Sequence, residues 1–147
     1  MAPSRLQRAP LAVWEREGLK AALVKAGLPA DEVGDPALLF WRFETFEDVP
    51  VGFGGLELHG NAALLHSVVI LPPLRQVGLG AAIVFALEAE ARACQCGAIY
   101  LLTTSAPDFF ARLGYGPCAP ADVPQTIRNS RQFAALPGAT AMVKHIG

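Results

Sequence analysis

The stretch "PPLRQVGLGAAIVFALEAEA", Pro72–Ala91, joins two segments of opposite character. The run before it, "ALLHSVVIL", is apolar and typical of a buried strand, whereas its second half has the Ala, Leu and Glu content of a helix. Gly78 and Gly80 stand at the junction, where the absence of Cβ atoms lets a ligand approach the backbone. The first turn of a helix also offers N–H groups without intrahelical partners. The junction therefore predicts either an anion site suited to phosphate or simply close packing of strand against helix.

The segments around this junction predict a mixed α/β (α+β) fold. A helical pattern over residues 10–29 precedes strand-like runs at 37–45, 49–58 and 62–71. Consecutive strands favour antiparallel pairing, whereas the helix at 78–93 between two apolar strands favours a parallel crossover. We therefore expect a mixed, mostly antiparallel sheet with helices on both faces.

The second half of the chain contains four further predicted features. They are a strand from Ala98, a short helix after Pro107, a helix capped by Asp122 and a terminal strand over 139–146. On the long helix, Glu88 and Arg92 stand at the spacing of an i,i+4 ion pair.

The totals limit the possible classes of protein. A length of 147 residues predicts a single domain, 1–147. With 52% hydrophobic and 17% charged residues, we expect a filled core and an apolar partner surface, most simply in a homodimer. A net charge of −1 offers no basic face for nucleic acid. No apolar run approaches the ~20 residues of a membrane span, and no secretory signal is visible, so we expect a cytoplasmic protein.

The three cysteines, Cys94, Cys96 and Cys118, are an odd number without histidines at metal-ligand spacing. We therefore expect reduced thiols and no metal site.

Two known phosphate loops do not fit the glycine junction. A Walker A loop needs Lys and Ser or Thr where Ala81 and Ala82 stand. The dinucleotide fingerprint needs a third small residue where Ile83 stands, and it normally follows the first strand of a parallel unit.

The pattern IxPxxRxxGxG, from Ile70 to Gly80, instead resembles the acetyl-CoA signature of GNAT-superfamily N-acetyltransferases. A second stretch, "TTSAPDFFARLGY" from Thr103 to Tyr115, is similar to that superfamily's NxxAxxFYxxxGF pattern. The resemblance implies that the strand's last backbone groups pair with the pantetheine arm of acetyl-CoA and that the loop amides hold its pyrophosphate. The cofactor-binding residues that it implies are Val68, Val69, Ile70, Arg75, Gln76, Val77, Gly78, Leu79, Gly80, Ala81, Thr103 and Phe110.

Acetyl transfer to an amine requires a neutral amine, a stabilised oxyanion and a departing thiolate. The amide of Val69 is our candidate for polarising the thioester carbonyl, and Glu57 and His66 are candidates for the base. The superfamily's usual tyrosine acid falls on Phe110, which has no proton to donate. Tyr115 is the remaining acid candidate, although a core role for its ring is the simpler interpretation. The thiolate could also leave without an acid, because a thiol has a pKa of about 8.5.

His66, Arg128 and Arg131 are the substrate candidates. The structural alternative for His66 is a hydrogen-bonded core histidine, and the alternative for the two arginines is a solvated helix face. The tail "VPQTIRNSRQFAALPGATAMVK" resembles the arsenic-resistance group of these N-acetyltransferases, although His66 and the segment 135–138 depart from that group's pattern. We therefore expect an acetyl-CoA-dependent N-acetyltransferase acting on a small amine, an amino acid or an arsenical amino acid. A non-catalytic acyl-CoA-binding sensor or interaction module is the alternative that Phe110 favours.

Overall fold

The computed structural model of the chain describes residues 6–30, 33, 35, 38–71 and 78–147. Within these residues the strands form a seven-stranded sheet in the order β1-β2-β3-β4-β5-β7-β6. The described pairs are antiparallel for β1 with β2, β5 with β7 and β6 with β7, and parallel for β4 with β5. The predicted mixed, mostly antiparallel sheet is thus confirmed, including the parallel crossover through the long helix.

The strands of this sheet are β1 (Gln7–Pro10), β2 (Leu38–Glu44), β3 (Pro50–His59), β4 (Ala62–Ile70), β5 (Ala98–Thr103), β6 (Gly116–Pro117) and β7 (Thr140–His145). The described α-helices are α1 (Arg16–Lys25), α2 (Leu79–Ala93), α3 (Pro107–Arg112), α4 (Gln125–Arg128) and α5 (Arg131–Ala135). Short 3-10 turns cover Val13–Glu15 and Pro120–Asp122. Among the described residues, no helix has the length and apolarity needed to cross a bilayer.

The chain divides into two compact units, and the first comprises the described parts of residues 1–56 and 67–87. Its core holds apolar side chains of α1 and the strands in one cluster. Leu19 and Leu23 of α1 are fully buried there, and Phe53 of β3 packs against the same cluster. Leu19 and Leu23 are four residues apart, so the inner face of α1 follows the helical period that the sequence predicted.

The second unit comprises residues 57–66 and 88–147. The register between β5 and β7 runs from Ala98 opposite His145 to Thr103 opposite Thr140. A second apolar cluster includes Leu64 of β4, Ile127 of α4 and Ala141 of β7. The short helices of the tail are therefore held by burial against the sheet rather than by their own length.

The structure corrects two local predictions and adds two strands. Asp122 ends a 3-10 turn and caps no α-helix, because α4 begins after Pro124 and Ser130 caps a separate helix, α5. The side-chain oxygen of Ser130 accepts a hydrogen bond from the Phe133 amide at 3.3 Å. Glu88 is 2% exposed and bonds with Lys144, and no ion pair with Arg92 forms among the described salt bridges. The two short edge strands, β1 and β6, were not predicted.

Candidate functional site

Strand β4 changes its backbone at Ser67. The parallel register with β5 runs from Ala62 to Leu65, although β4 itself continues to Ile70. Ser67 has a φ of 57°, which places it in the left-handed region inside an otherwise extended strand. A left-handed residue in a strand marks a β-bulge, and such strained positions cluster at functional sites. The bulge immediately precedes Val68–Ile70, the backbone that the resemblance assigns to the cofactor.

The strand also has an unusually close neighbour at this point. A Cβ atom added to Gly52 of β3 would overlap the carbonyl oxygen of Val69, and it would lie 3.1 Å from Ile70 Cα. The Leu71 amide donates to the Val51 carbonyl at 2.8 Å, so β3 remains bonded to the chain just beyond the bulge. Only glycine at position 52 allows this approach, and β3 therefore fixes where the Val69 backbone stands. Sequence reasoning missed Gly52; the signal was a glycine inside a strand pattern.

The start of α2 supplies a second set of backbone groups in the same unit. Gly78 has a φ of 74°, and α2 begins at the next residue. No acidic residue occupies the first turn of α2, so no carboxylate of that turn neutralises the positive end of the helix. Leu79 is buried, whereas Gly80 and Ala81 are half-buried. The N–H groups of this turn and the positive end of the helix dipole are therefore of the kind that binds an anion. The predicted residues Arg75, Gln76 and Val77 lie outside the described residues.

Buried polar groups of the second unit form a network around Glu88. Lys144 Nζ donates to Glu88 Oε1 at 3.0 Å and to the Leu113 carbonyl at 2.8 Å. The hydroxyl of Tyr115 donates to Glu88 Oε2 at 2.9 Å. Burial, followed by the charge and the hydrogen bond of Glu88, raises the pKa of Tyr115 well above its ordinary value. The hydroxyl is therefore held protonated and engaged, and the catalytic role of Tyr115 stays a prediction.

The other second-unit candidates are placed as follows. Phe110 is half-buried and meets Tyr115 edge to face, with ring centroids 5.8 Å apart. Thr103 is buried, and its Oγ1 accepts a hydrogen bond from the Ala106 amide at 3.0 Å, so it orders the start of α3. Arg128 and Arg131 are exposed on α4 and α5.

The two base candidates differ in environment. His66 is 5% exposed. Glu57 is half-buried, and its carboxylate pairs with His59 Nε2 two residues along β3. Sequence reasoning did not single out the pairing of Glu57 with His59; the signal was the i,i+2 spacing, which puts two side chains on one face of a strand. Neither candidate is tested by these contacts, and both stay predictions. Among the described residues, no group of three His, Cys, Asp or Glu side chains could hold a metal ion.

Comparison with known proteins gives consistent results. The sequence profile of the Acetyltransferase (GNAT) family matches residues 5–115. Comparison with curated proteins gives no significant match.

Similar solved structures cover nearly all of the chain at low sequence identity. N-acetylglutamate synthase from Neisseria gonorrhoeae, complexed with coenzyme A and L-arginine, is 13% identical with a TM-score of 0.78 over 97% of this chain and 33% of its own. This chain thus spans about a third of that protein's length. A GNAT-family acetyltransferase from Staphylococcus aureus Mu50 is 14% identical with a TM-score of 0.78, over 97% and 99% of the two chains. A Mycobacterium tuberculosis protein in complex with CoA and NLQ is 18% identical with a TM-score of 0.73, over 95% and 98%.

These likenesses support the fold, and the profile match covers well over half of the chain. The protein therefore belongs to the Acetyltransferase (GNAT) family.

Proposed function

We propose that this chain is an acetyl-CoA-dependent N-acetyltransferase that acts on the amine of a small molecule, an amino acid or an arsenical amino acid. The observation that carries the proposal is the left-handed backbone of Ser67 within β4, directly before the backbone of Val68–Ile70. A bulge interrupts the regular hydrogen-bond ladder of its strand, and bulges are over-represented next to active sites. Structures of similar fold from Neisseria gonorrhoeae and Mycobacterium tuberculosis contain coenzyme A, which supports this cofactor.

The proposed chemistry is direct attack. The amine nitrogen attacks the thioester carbonyl carbon, the carbon–sulfur bond breaks, and the sulfur keeps the bonding electrons as a thiolate. The Val69 amide donates to the developing oxyanion, a contribution of about 3–4 kcal/mol where such a donor is well placed. A base accepts the proton lost by the amine, and Glu57 and His66 are the candidates for that base from the sequence. The first turn of α2, at Gly78–Ala81, holds the pyrophosphate.

A substitution at Gly80 tests the phosphate cradle separately from the fold. Gly80→Asp adds a carboxylate to the first turn of α2, where a negative charge stabilises a helix by about 0.3–1 kcal/mol. The same charge repels a bound pyrophosphate. We therefore expect Gly80→Asp to melt at or above the wild-type temperature while its affinity for acetyl-CoA falls more than about 100-fold, measured by titration calorimetry.

Gly138→Asp is the matched control, because Gly138 is exposed and an added Cβ there meets nothing within 4 Å. It should bind acetyl-CoA as the wild type does. Wild-type affinity in Gly80→Asp would mean that the glycine junction serves only packing.

The sensor alternative stands on Phe110, the phenylalanine at the place of the expected acid. Release of coenzyme A, measured across a panel of amines, separates the two functions. Binding of acetyl-CoA without release above the amine-free rate for any acceptor would favour the sensor. The Phe110→Tyr variant refines the answer: we expect turnover within about twofold of wild type, because a thiolate of ordinary pKa leaves without an acid. The homodimer and the cytoplasmic location remain parts of the proposal that oligomer measurements and localisation can test.

A further inference from the structure

A groove of about 580 Å³ lies between helix α1 and the end of β4, wholly within the first unit. We call it the α1 groove; Glu17, Gly18, Lys20 and Lys25 are among the residues that line it from the helix, and Val69, Ile70 and Leu71 line it from the chain at the end of β4. Its volume falls within the range of small-molecule sites, about 300–1,000 Å³. Because Val69 forms part of its wall, a molecule in the groove lies beside the predicted reacting amide.

Gly18 of α1 leaves open space at the wall of this groove. Gly18 stands inside α1, where glycine is less favourable than alanine by about 1 kcal/mol. Gly18 has no left-handed φ, and an added Cβ would meet nothing within 4 Å. Neither a turn nor a close neighbour therefore requires glycine at this position. The missing side chain instead widens the groove.

The α1 groove opens on the face of the sheet opposite to α2. A Cβ added to Gly54 would lie 2.8 Å from Leu87 Cδ1 and 3.1 Å from Ile83 Cγ2, so Gly54 faces α2. Its neighbour Phe53 packs with the α1 cluster, as does Val69. Since successive residues of a strand point to opposite faces, the two helices cover opposite sides of β3. A cofactor held at the start of α2 and a second substrate in the α1 groove would therefore reach β4 from different sides.

The charges that line the groove favour an anionic group. Lys25 is exposed and makes no salt bridge among the described residues. Lys20 Nζ lies 3.6 Å from Glu17 Oε1, but the Glu17 side chain is 86% exposed, and such a surface pair is weak. The lining thus carries two ammonium groups and the carboxylate of Glu17, which leaves a net positive charge over an apolar floor. This charge matches a small molecule with a carboxylate at one end and an apolar or extended body.

We infer that the α1 groove binds the acceptor and that Lys20 and Lys25 select acceptors carrying a carboxylate, so that amino acids and related amino-carboxylates are the substrate class. This inference rests on the proposed acetyl transfer. The sequence prediction named Arg128 and Arg131 as substrate contacts; this inference instead places recognition of the carboxylate on α1. A charge-assisted hydrogen bond to a carboxylate at a solvated rim corresponds to about a tenfold gain in affinity.

The test compares each of the twenty amino acids with its methyl ester as acceptor, at saturating acetyl-CoA. In the double variant Lys20→Gln/Lys25→Gln, we expect kcat/KM for the preferred amino acid to fall about tenfold or more. For the ester it should stay within about twofold, because the ester carries no charge for the lysines to bind. The KM for acetyl-CoA should not change. Arg112→Gln removes one exposed cation on α3; it is the control for the loss of surface charge and should leave both acceptors unaffected.

Gly18 provides a steric test of the same groove. Gly18→Leu places a side chain in the open space and should reduce kcat/KM for acid and ester alike by more than about tenfold. Gly18→Ala is its control and should raise the melting temperature with little loss of activity. An acid-to-ester ratio that the lysine variant leaves unchanged, or one that falls instead in Arg128→Gln/Arg131→Gln, would overturn the inference.

The two proposals fail in different ways. If the protein neither binds acetyl-CoA nor releases coenzyme A with any acceptor, the proposed function fails, and direct titration of the amino acids into the protein still tests the groove. If transfer proceeds but acids and esters react equally well, the function stands and carboxylate selection by the α1 groove is wrong.

Discussion

Replacing Gly52 with alanine should separate the catalytic position of Val69 from general stability. A Cβ at residue 52 would overlap the Val69 carbonyl oxygen, and that oxygen would have to retreat by more than about 1 Å to restore an ordinary contact of 3.4 Å. The obstacle is backbone, which cannot rotate away as a side chain can. The substitution therefore moves the amides on either side of Val69.

The expected magnitudes follow from this displacement. Misplacing reacting groups by about 1 Å costs on the order of 100-fold in rate, and loss of an oxyanion donor costs about 100- to 1,000-fold in kcat. Strain of this kind lowers the free energy of unfolding by about 1–3 kcal/mol. We thus expect Gly52→Ala to lose about 100-fold or more in kcat, together with a moderate fall in melting temperature.

The assay measures coenzyme A release with the best acceptor of the panel, below the melting temperature of every variant. Gly54→Ala is the matched control, two residues along the same strand. Its Cβ would press on Leu87 Cδ1 and Ile83 Cγ2, the ends of flexible side chains that can move. It should lose some stability but keep kcat within about threefold. If folded Gly52→Ala turns over at the wild-type rate, the Val69 amide takes no part in the reaction.

Two further predictions concern the buried network of the second unit. Lys144→Met leaves the carboxylate of Glu88 with the Tyr115 hydroxyl but without its cation, so the free energy of unfolding in urea should fall by about 3–5 kcal/mol. A double variant that also carries Glu88→Gln should recover part of this loss. An unchanged midpoint of urea unfolding in Lys144→Met would contradict the assignment. Because the pKa of Tyr115 is raised in the folded protein, the unfolded chain loses this proton first, from its ordinary value of 10.0 upward. The free energy of unfolding of the wild type should therefore fall as pH rises above that value, and that of Tyr115→Phe should fall less steeply. If urea titrations from pH 8 to 11 give the two proteins the same dependence of this free energy on pH, the linkage is refuted.

Much of the fold follows from local sequence. The apolar run of β4 and the periodicity of α2 predicted a parallel crossover, and the consecutive strands before them predicted antiparallel pairing; the structure contains both. The elements that were missed, β1 and β6, have four and two residues. Strands so short have no periodicity to detect, and they exist because a neighbouring strand offers hydrogen bonds.

The site was predictable only where it is local. The glycine junction at Gly78 and Gly80 is a contiguous pattern and could be read directly. Glu88 shows the opposite case: its spacing to Arg92 favoured a surface pair, but Lys144, 56 residues away, binds it instead. The α1 groove likewise joins α1 to residues about 50 positions further on, and no window of sequence contains both of its walls.

Departures from local stability rules have different consequences in the two units. In the second unit, a lysine and a tyrosine bond to the buried carboxylate of Glu88, and these bonds offset the free-energy cost of burying it. In the first unit, Gly18 stands inside a helix, Ser67 adopts a left-handed conformation and α2 starts without acidic residues, and each of these departs from a local stability rule. Positions that break local rules in a folded protein are expected at functional sites, where a ligand makes use of them. All three lie in the unit that contains the end of β4, and this is the physical reason for placing both the cofactor cradle and the acceptor groove there.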